Sequence, residues 1–319
     1  MLRLSRPTIK VYDLGGTITS ANGKVGIKYG AATVQDMINS TPRLGEIAEV
    51  EFETVFKGGS PDLTASVLLS AARRINTDFA TGRYTSGLVL AGTDLTEEIT
   101  TILSLAMKPS HPLGVTGAIK RITDLSSDGQ INVFNALCLL VSPEAKDRGV
   151  MYVSQNHILE ARSVTKVSTT SVNAFTGVKL GEIRGNTPYF YYPPGLMQNW
   201  PLFNITNIRS LPRVSILYGH LDHDENLFDH LASRGARGIV LAGMGAGSWT
   251  TKGGDAMQRL KDEGKKPVVV YVSASTSLLR YSASQSLMNA SMYSQSIQEI
   301  ADCLDPTMSS TVALKVDVI

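Results

Sequence analysis

The chain has 319 residues, 43% of them apolar and 18% charged, and its 30 Lys and Arg against 28 Asp and Glu leave a formal net charge of +2. That length exceeds one small core and predicts two domains of ordinary size, while the apolar and charged fractions exclude a disordered chain. The scattered basic residues exclude a stripe suited to nucleic acid, no apolar run approaches the roughly 20 residues that span a bilayer, and Cys138 and Cys303 stand too far apart, without further ligands, for a zinc site or a disulfide framework.

Both thiols are expected to be buried and inert. The first residues run directly into a strand without the apolar core of a signal peptide, from which an intracellular, cytoplasmic or already processed chain is expected. Thr8 to Leu14 (TIKVYDL) reads as that strand, stopped by Gly15-Gly16, and Ala32 to Ile38 reads as a short helix ended before Pro42. Val50 to Phe56 alternates as a strand and stops at Gly58-Gly59, after which Leu63 to Ile75 has helical spacing. Gly87 to Ala91 is a third strand. It feeds Gly92-Thr93-Asp94, and Glu97-Glu98 then open an apolar helix through Leu105, acidic residues being favourable in a first helical turn. Val115 to Ala118, a helix from Asn132 to Val141, and Gly149 to Val153 repeat the scheme, with Lys166 following in a segment rich in Thr and Ser. This is the rhythm of a mostly parallel sheet flanked by helices.

The pattern breaks between Tyr189 and Pro212, where prolines 188, 193, 194, 201 and 212 stand in or beside a run of aromatics. Such a composition resists regular structure and marks a connection between domains, with Tyr189 to Tyr192 packing at the junction. Beyond it Val214 to Tyr218 (strand), Glu225 to Ser233 (helix), Gly238 to Leu241 (strand), Gly254 to Glu263 (helix) and Pro267 to Val272 (strand) form a smaller α/β unit, and Ser282 to Leu304 reads as two closing helices. The expected division is an N-terminal catalytic α/β domain over residues 1–190, a linker over 191–212 and a C-terminal α/β domain over 213–319. No fixed-period repeat is present beyond this alternation.

Three strand-end loops carry chemistry-bearing residues. Gly15-Gly16-Thr17 places a hydroxyl at the carboxyl end of the sheet, where open α/β folds bind ligands, and the glycines let backbone approach a substrate closely. Gly58-Gly59-Ser60-Pro61-Asp62 brings a hydroxyl and a carboxylate to the same edge, and Gly92-Thr93-Asp94 does so again. Each loop taken singly is also explained by turn and helix-cap chemistry, which favours the same residue types.

Taken together, the stretches LGGTI (Leu14 to Ile18), GGSPD (Gly58 to Asp62), GTDLTEE (Gly92 to Glu98), SSDGQINVFNAL (Ser126 to Leu137), RGVMYV (Arg148 to Val153) and SVTKVSTTSVNAF (Ser163 to Phe175) resemble the bacterial-type L-asparaginase family, in order and across nearly all of the first domain. The resemblance implies a two-domain asparaginase-like α/β fold and an amidohydrolase that cleaves the side-chain amide of L-asparagine or an asparagine-like substrate, with no metal or organic cofactor. It implies Thr17 as nucleophile, Tyr29 on the following loop as the group that polarises it, and Thr93, Asp94 and Lys166 as a second catalytic cluster. It further implies a substrate pocket formed by Gly16, Ser60, Pro61, Asp62 and Gly92, with Ser60 toward the α-carboxylate and Asp94 toward the α-ammonium, completed by Ser248. The implied assembly is a homotetramer built as a dimer of dimers, whose partner is a small amide and neither nucleic acid nor membrane. The chemistry is coherent: a threonine hydroxyl attacks only when a neighbouring base takes its proton, a lysine serves as base where burial and neighbours favour its neutral amine, and a backbone N–H beside Thr93 at a helix start suits an oxyanion.

The chain departs from the family pattern at the pocket wall. Pro61 stands where the family has Gln, Leu95 where Thr is common, and Ser248 where the turn GMGAGS (Gly243 to Ser248) resembles one ending in Asn; Ser273 to Thr276 stands in place of an arginine-containing strand-end motif. These changes point to a substrate other than free asparagine, such as a modified or larger asparagine-like amide of a biosynthetic pathway, or, in a different class, to a non-catalytic amino-acid-binding homologue. The cluster His220, Asp222, His223 and Asp224 reads as loop rather than metal site, since alternate residues on a loop point different ways.

Overall fold

Strand β1 (Thr8–Asp13) is buried along nearly all its length, the environment of an interior parallel strand covered on both faces. A two-residue antiparallel pair, β2 (Ala21–Asn22) with β3 (Ile27–Lys28), follows it. β1 pairs in parallel with β4 (Glu49–Thr54) on one side and β5 (Ser86–Leu90) on the other, and β5 continues in parallel to β6 (Leu113–Thr116) and β7 (Val150–Ser154). The computed structural model describes residues 6–22, 27–28, 36, 47–108, 110–195, 203–245, 247–265 and 267–273. Tyr29, Cys303, all but residue 36 of the helix expected over Ala32 to Ile38, and the two helices expected over Ser282 to Leu304 lie outside them.

Alternate residues of β1 serve opposite faces of the sheet, as the two-residue period of a strand requires. Tyr12 and Leu14 join a core with helix α1 (Ala65–Ala80) through Leu68, Leu69 and Ile75 and with α2 (Thr96–Ala106) through Ile99 and Leu103. Ile9 and Val11 join a second core with α3 (Gly129–Val141) through Val133, Leu137 and Leu140. The sequence-predicted helices therefore cover both faces, α1 starting two residues later and ending five later than the periodicity indicates, α2 extended by one at each end and α3 starting three earlier. Lys10 is the buried exception, paired with Glu53 at 2.8 Å and Asp78 at 3.1 Å while Tyr12 donates its hydroxyl to Asp78. Burial acts to lower the Lys10 pKa, but its bonds to Glu53 and Asp78 outweigh that, and the net shift is upward.

After β7 the parallel rhythm gives way to hairpins that the sequence reading does not contain. β8 (His157–Glu160) returns antiparallel to β7 through Gln155 and Asn156, both at positive φ, and β11 (Lys179–Arg184) returns to β12 (Thr187–Phe190) through Gly185 and Asn186 at φ 52° and 70°. Positive φ at both central residues is the type I′ turn, whose twist suits a two-residue hairpin. Between them β9 (Thr165–Lys166) and β10 (Phe175–Thr176) form a small antiparallel pair. Tyr189 and Phe190, expected in irregular linker, thus belong to β12 at the end of the sheet, where Pro188 is tolerated because an edge strand does not need every N–H. The sheet order is β12-β11-β8-β7-β6-β5-β1-β4.

Two compact units emerge, Met1–Ser210 and Leu211–Ile319. In the second, β13 (Val214–Tyr218), β14 (Gly238–Gly243) and β15 (Val268–Ser273) form a parallel sheet in that order, with α4 (Asn226–Ser233) and α5 (Thr251–Asp262) enclosing a core of Phe228, Ile239, Leu241, Ala256 and Leu260. The rings of His220 and His223 lie 5.3 Å apart between centroids at a mutual tilt of 54°, and His223 also packs edge-on against Trp249. Among the described residues no group of three or more His, Cys, Asp or Glu is placed to hold a metal ion, and no helix is long and apolar enough to cross a membrane.

Candidate active site

The chain leaves β1 for β4 on one side and then crosses to β5 on the other, so the winding reverses around β1. The carboxyl ends of adjacent strands at such a reversal open a crevice in doubly wound sheets. β4, β1 and β5 deliver the Gly58-Gly59, Gly15-Gly16 and Gly92 loops there, side by side.

Backbone contact knits these loops together. Gly15 and Gly16 stand at φ +76° and +93°, a region side chains rarely adopt. A Cβ on Gly15 would lie 2.6 Å from the Gly58 carbonyl oxygen, and one on Gly16 would lie 2.2 Å from the Gly92 Cα. The Gly16 N–H donates to the Gly58 carbonyl at 2.9 Å, and the Leu14 N–H donates to that of Leu90 at 2.8 Å. Gly92 in turn abuts Ser60, whose Oγ would be 2.6 Å from an added Cβ. Thr17 opens a single 3-10 turn directly after Gly16, half-buried, with its carbonyl accepting from the N–H and the hydroxyl of Ser20. Thr93 follows Gly92, so the two threonines flank the Gly16–Gly92 contact.

Lys166 reaches the third loop from β9. Its Nζ donates to Thr93 Oγ1 at 2.9 Å and to Asp94 Oδ1 at 2.7 Å, and the Ser60 hydroxyl donates to Asp94 Oδ2 at 3.3 Å. Thr93 and Ser60 are buried, the Lys166 side chain is 16% exposed and the Asp94 carboxylate 57% exposed. One face of this cluster is enclosed, and the carboxylate looks outward. Neither Thr93 nor Asp94 caps α2 with its side chain; both sit in a 3-10 turn ahead of it. Pro61 and Asp62 are exposed on the turn after Ser60. Ser248 belongs to the second unit, exposed on a tight turn in which it and Met244 exchange backbone hydrogen bonds.

Three supporting residues escape the sequence reading. Glu97 accepts the Lys166 backbone N–H at 2.8 Å, tying the lysine strand to the first turn of α2; its only sequence signal is an acidic residue at a helix start. Gly117, just past β6, leaves room for the Thr93 methyl, which would be 3.1 Å from an added Cβ. Asp13 ends β1, is 5% exposed, and accepts the Gly15 N–H on Oδ1 at 2.8 Å. Burial pushes its pKa up to about 6, against the opposing pull of that hydrogen bond and of Lys57. An acid closing a strand just before the Gly15-Gly16 turn was the available signal. Cys138 is buried and its thiol is pushed up to about 11, an inert state.

The chain is similar to known proteins over most of its length. The asparaginase N-terminal family model matches residues 8–194, and the glutaminase/asparaginase C-terminal domain model matches residues 213–296. The chain is 32% identical over 278 residues to L-asparaginase 2 of Bacillus subtilis (strain 168), covering 85% of this chain and 73% of that protein. It is 32% identical to L-asparaginase 2-3 of Saccharomyces cerevisiae over 83% of this chain and 76% of that one, and 32% identical to L-asparaginase 2 of Escherichia coli (strain K12) over 77% and 72%. A solved structure of a probable cytoplasmic L-asparaginase from Campylobacter jejuni superposes with a TM-score of 0.76 at 30% identity, over 84% of this chain and 83% of that one.

Proposed function

On the premise that this chain belongs to the asparaginase family, we propose the groups that carry its reaction. It is an amidohydrolase that converts the side-chain amide of asparagine to the acid and ammonia. In our reading Thr17 Oγ attacks the amide carbon, the amide nitrogen leaves as ammonia with a proton from the site, and water then hydrolyses the acyl-threonine ester to regenerate Thr17. Thr93, Asp94 and Lys166 form the proton-handling cluster, and Gly16, Ser60, Pro61, Asp62 and Gly92 line the pocket. The observation that supports this most is the Lys166 amine bridging Thr93 and Asp94 on a loop in backbone contact with the one that presents Thr17. The exposed Asp94 carboxylate, with Ser60 beside it, suits the α-ammonium of an amino acid. Tyr29 completes the reading as the group that polarises Thr17.

The same premise extends to the assembly. Residues 1–190 carry catalysis, 191–212 link, and 213–319 supply Ser248 to the site of a neighbouring subunit in a homotetramer that works in the cytoplasm. The named relatives are L-asparaginases, which favours asparagine over a modified amide and over a binding-only role. Purified protein is expected to release ammonia from L-asparagine, and Thr17→Ala is expected to abolish that release while ligand binding, read by calorimetry, survives. Turnover undiminished in Thr17→Ala would overturn the nucleophile.

A further inference from the structure

Two backbone amides of the nucleophile loop are held by backbone carbonyls of neighbouring strand ends, and the one between them is held by a side chain. The Leu14 N–H binds the Leu90 carbonyl and the Gly16 N–H binds the Gly58 carbonyl, but the Gly15 N–H between them binds the Asp13 carboxylate at 2.8 Å. Asp13 is itself fixed, since its carbonyl accepts from the N–H groups of both Val55 and Phe56 at 2.8 and 3.1 Å. The carboxylate therefore extends from an anchored backbone and clamps a residue at φ +76° that stands two positions before Thr17.

We propose that Asp13 is a positioning residue of the reaction: its charged carboxylate holds the Gly15 N–H and so fixes the turn that presents the Thr17 hydroxyl. A hydrogen bond to a charged acceptor is roughly twice as strong as one to a neutral acceptor, so protonating Asp13 loosens the clamp without deleting it. A buried carboxylate is otherwise a poor choice for this position, because burial disfavours its charge. The residues opposite it on β4 and β5, Thr54 and Leu90, do not titrate, and the charge that reaches it is that of Lys57 beyond β4. Near-neutral activity thus requires Asp13 ionised, and Asp13 gains its proton within the range of about pH 5 to 7.

This rests on Thr17 as nucleophile, so the experiment carries Thr17→Ala as a parallel arm. Steady-state kinetics with L-asparagine from about pH 5 to 8.5 are expected to show wild-type kcat falling about three- to tenfold through an inflection near 6. Asp13→Asn, an isosteric neutral acceptor, is expected to give a flat profile at the level of the wild-type acid limb, the loss falling on kcat rather than KM, while its Tm at about pH 8 rises because a buried charge has gone. A structural role alone would not move the inflection. Asp13→Asn that matches wild-type kcat at about pH 7.5, or that keeps the inflection near 6, overturns the proposal. Thr17→Ala that retains turnover overturns the nucleophile reading instead, and a silent Thr17→Ala with an unaltered Asp13→Asn profile sinks the clamp alone.

Discussion

A methyl group is too large for the contacts that join the site's loops. At Gly16 the obstacle is the Gly92 Cα, which belongs to backbone and cannot rotate away, unlike the end of a flexible side chain. Lys166 is different, because the role proposed for it is chemical and its partner Asp94 is more than half exposed. Lys166→Met is therefore expected to leave the thermal midpoint nearly unchanged, as exposed ion pairs contribute about 0–1 kcal/mol, while kcat falls roughly 10²- to 10⁴-fold, the usual share of general acid–base catalysis. Parallel thermal melts and ammonia assays separate the two effects, and a variant that keeps its rate would remove Lys166 from the cluster. Asp13 couples the two quantities in the opposite sense. Its folded pKa of about 6 lies above the ordinary 3.8, so its favourable contribution is complete below about pH 4 and is lost as pH rises through 6. The loss is about 3 kcal/mol, roughly 1.4 kcal/mol for each pKa unit. Retaining a charge at that cost is what a site does when activity, rather than stability, sets the residue.

At the level of elements, two adjacent glycines in α5 make a controlled comparison. Gly254 is exposed with nothing within 4 Å of an added Cβ, whereas a Cβ on Gly253 would meet Trp249 Nε1 at 2.3 Å and Glu225 Oε2 at 2.7 Å. Gly254→Ala is expected to stabilise the second unit by about 0.5–1 kcal/mol through helix propensity, and Gly253→Ala to destabilise it; urea melts of both decide, and a Gly254→Ala loss would refute the open-space reading. Interior parallel strands such as β5 were legible because burial on both faces writes a continuous apolar run, here Gly87 to Ala91, stopped by Gly92. The hairpins were not, because β9 and β10 are two residues each, held by pairing partners that no local pattern announces. The turn pairs Gln155-Asn156 and Gly185-Asn186 were the missed signal, since Asn and Gly tolerate the positive φ that a type I′ turn demands. The site followed the same division. Thr17, Ser60, Thr93 and Asp94 announce themselves at strand ends, whereas Glu97 and Gly117 act through neighbours distant in sequence, on Lys166 and the Thr93 methyl.

For the whole molecule, each unit owns a core, and the residues assigned to chemistry are shared unequally between them. Thr17, Ser60, Thr93, Asp94 and Lys166 all belong to the first unit, and Ser248 to the second. If the homotetramer is the working form, light scattering at assay concentration is expected to return four chain masses, and dilution that splits the assembly should lower specific activity; a fully active monomer would sink the shared site. The glycine contacts also say where this scaffold is open to variation. Positions 15 and 16 are closed to any larger residue by main-chain atoms and position 92 by the Ser60 side chain, whereas Pro61 and Asp62 are exposed beside them. A mutational library seeking a different amide should spend its diversity on Pro61 and Asp62, because their side chains can be exchanged without moving the frame on which the nucleophile stands.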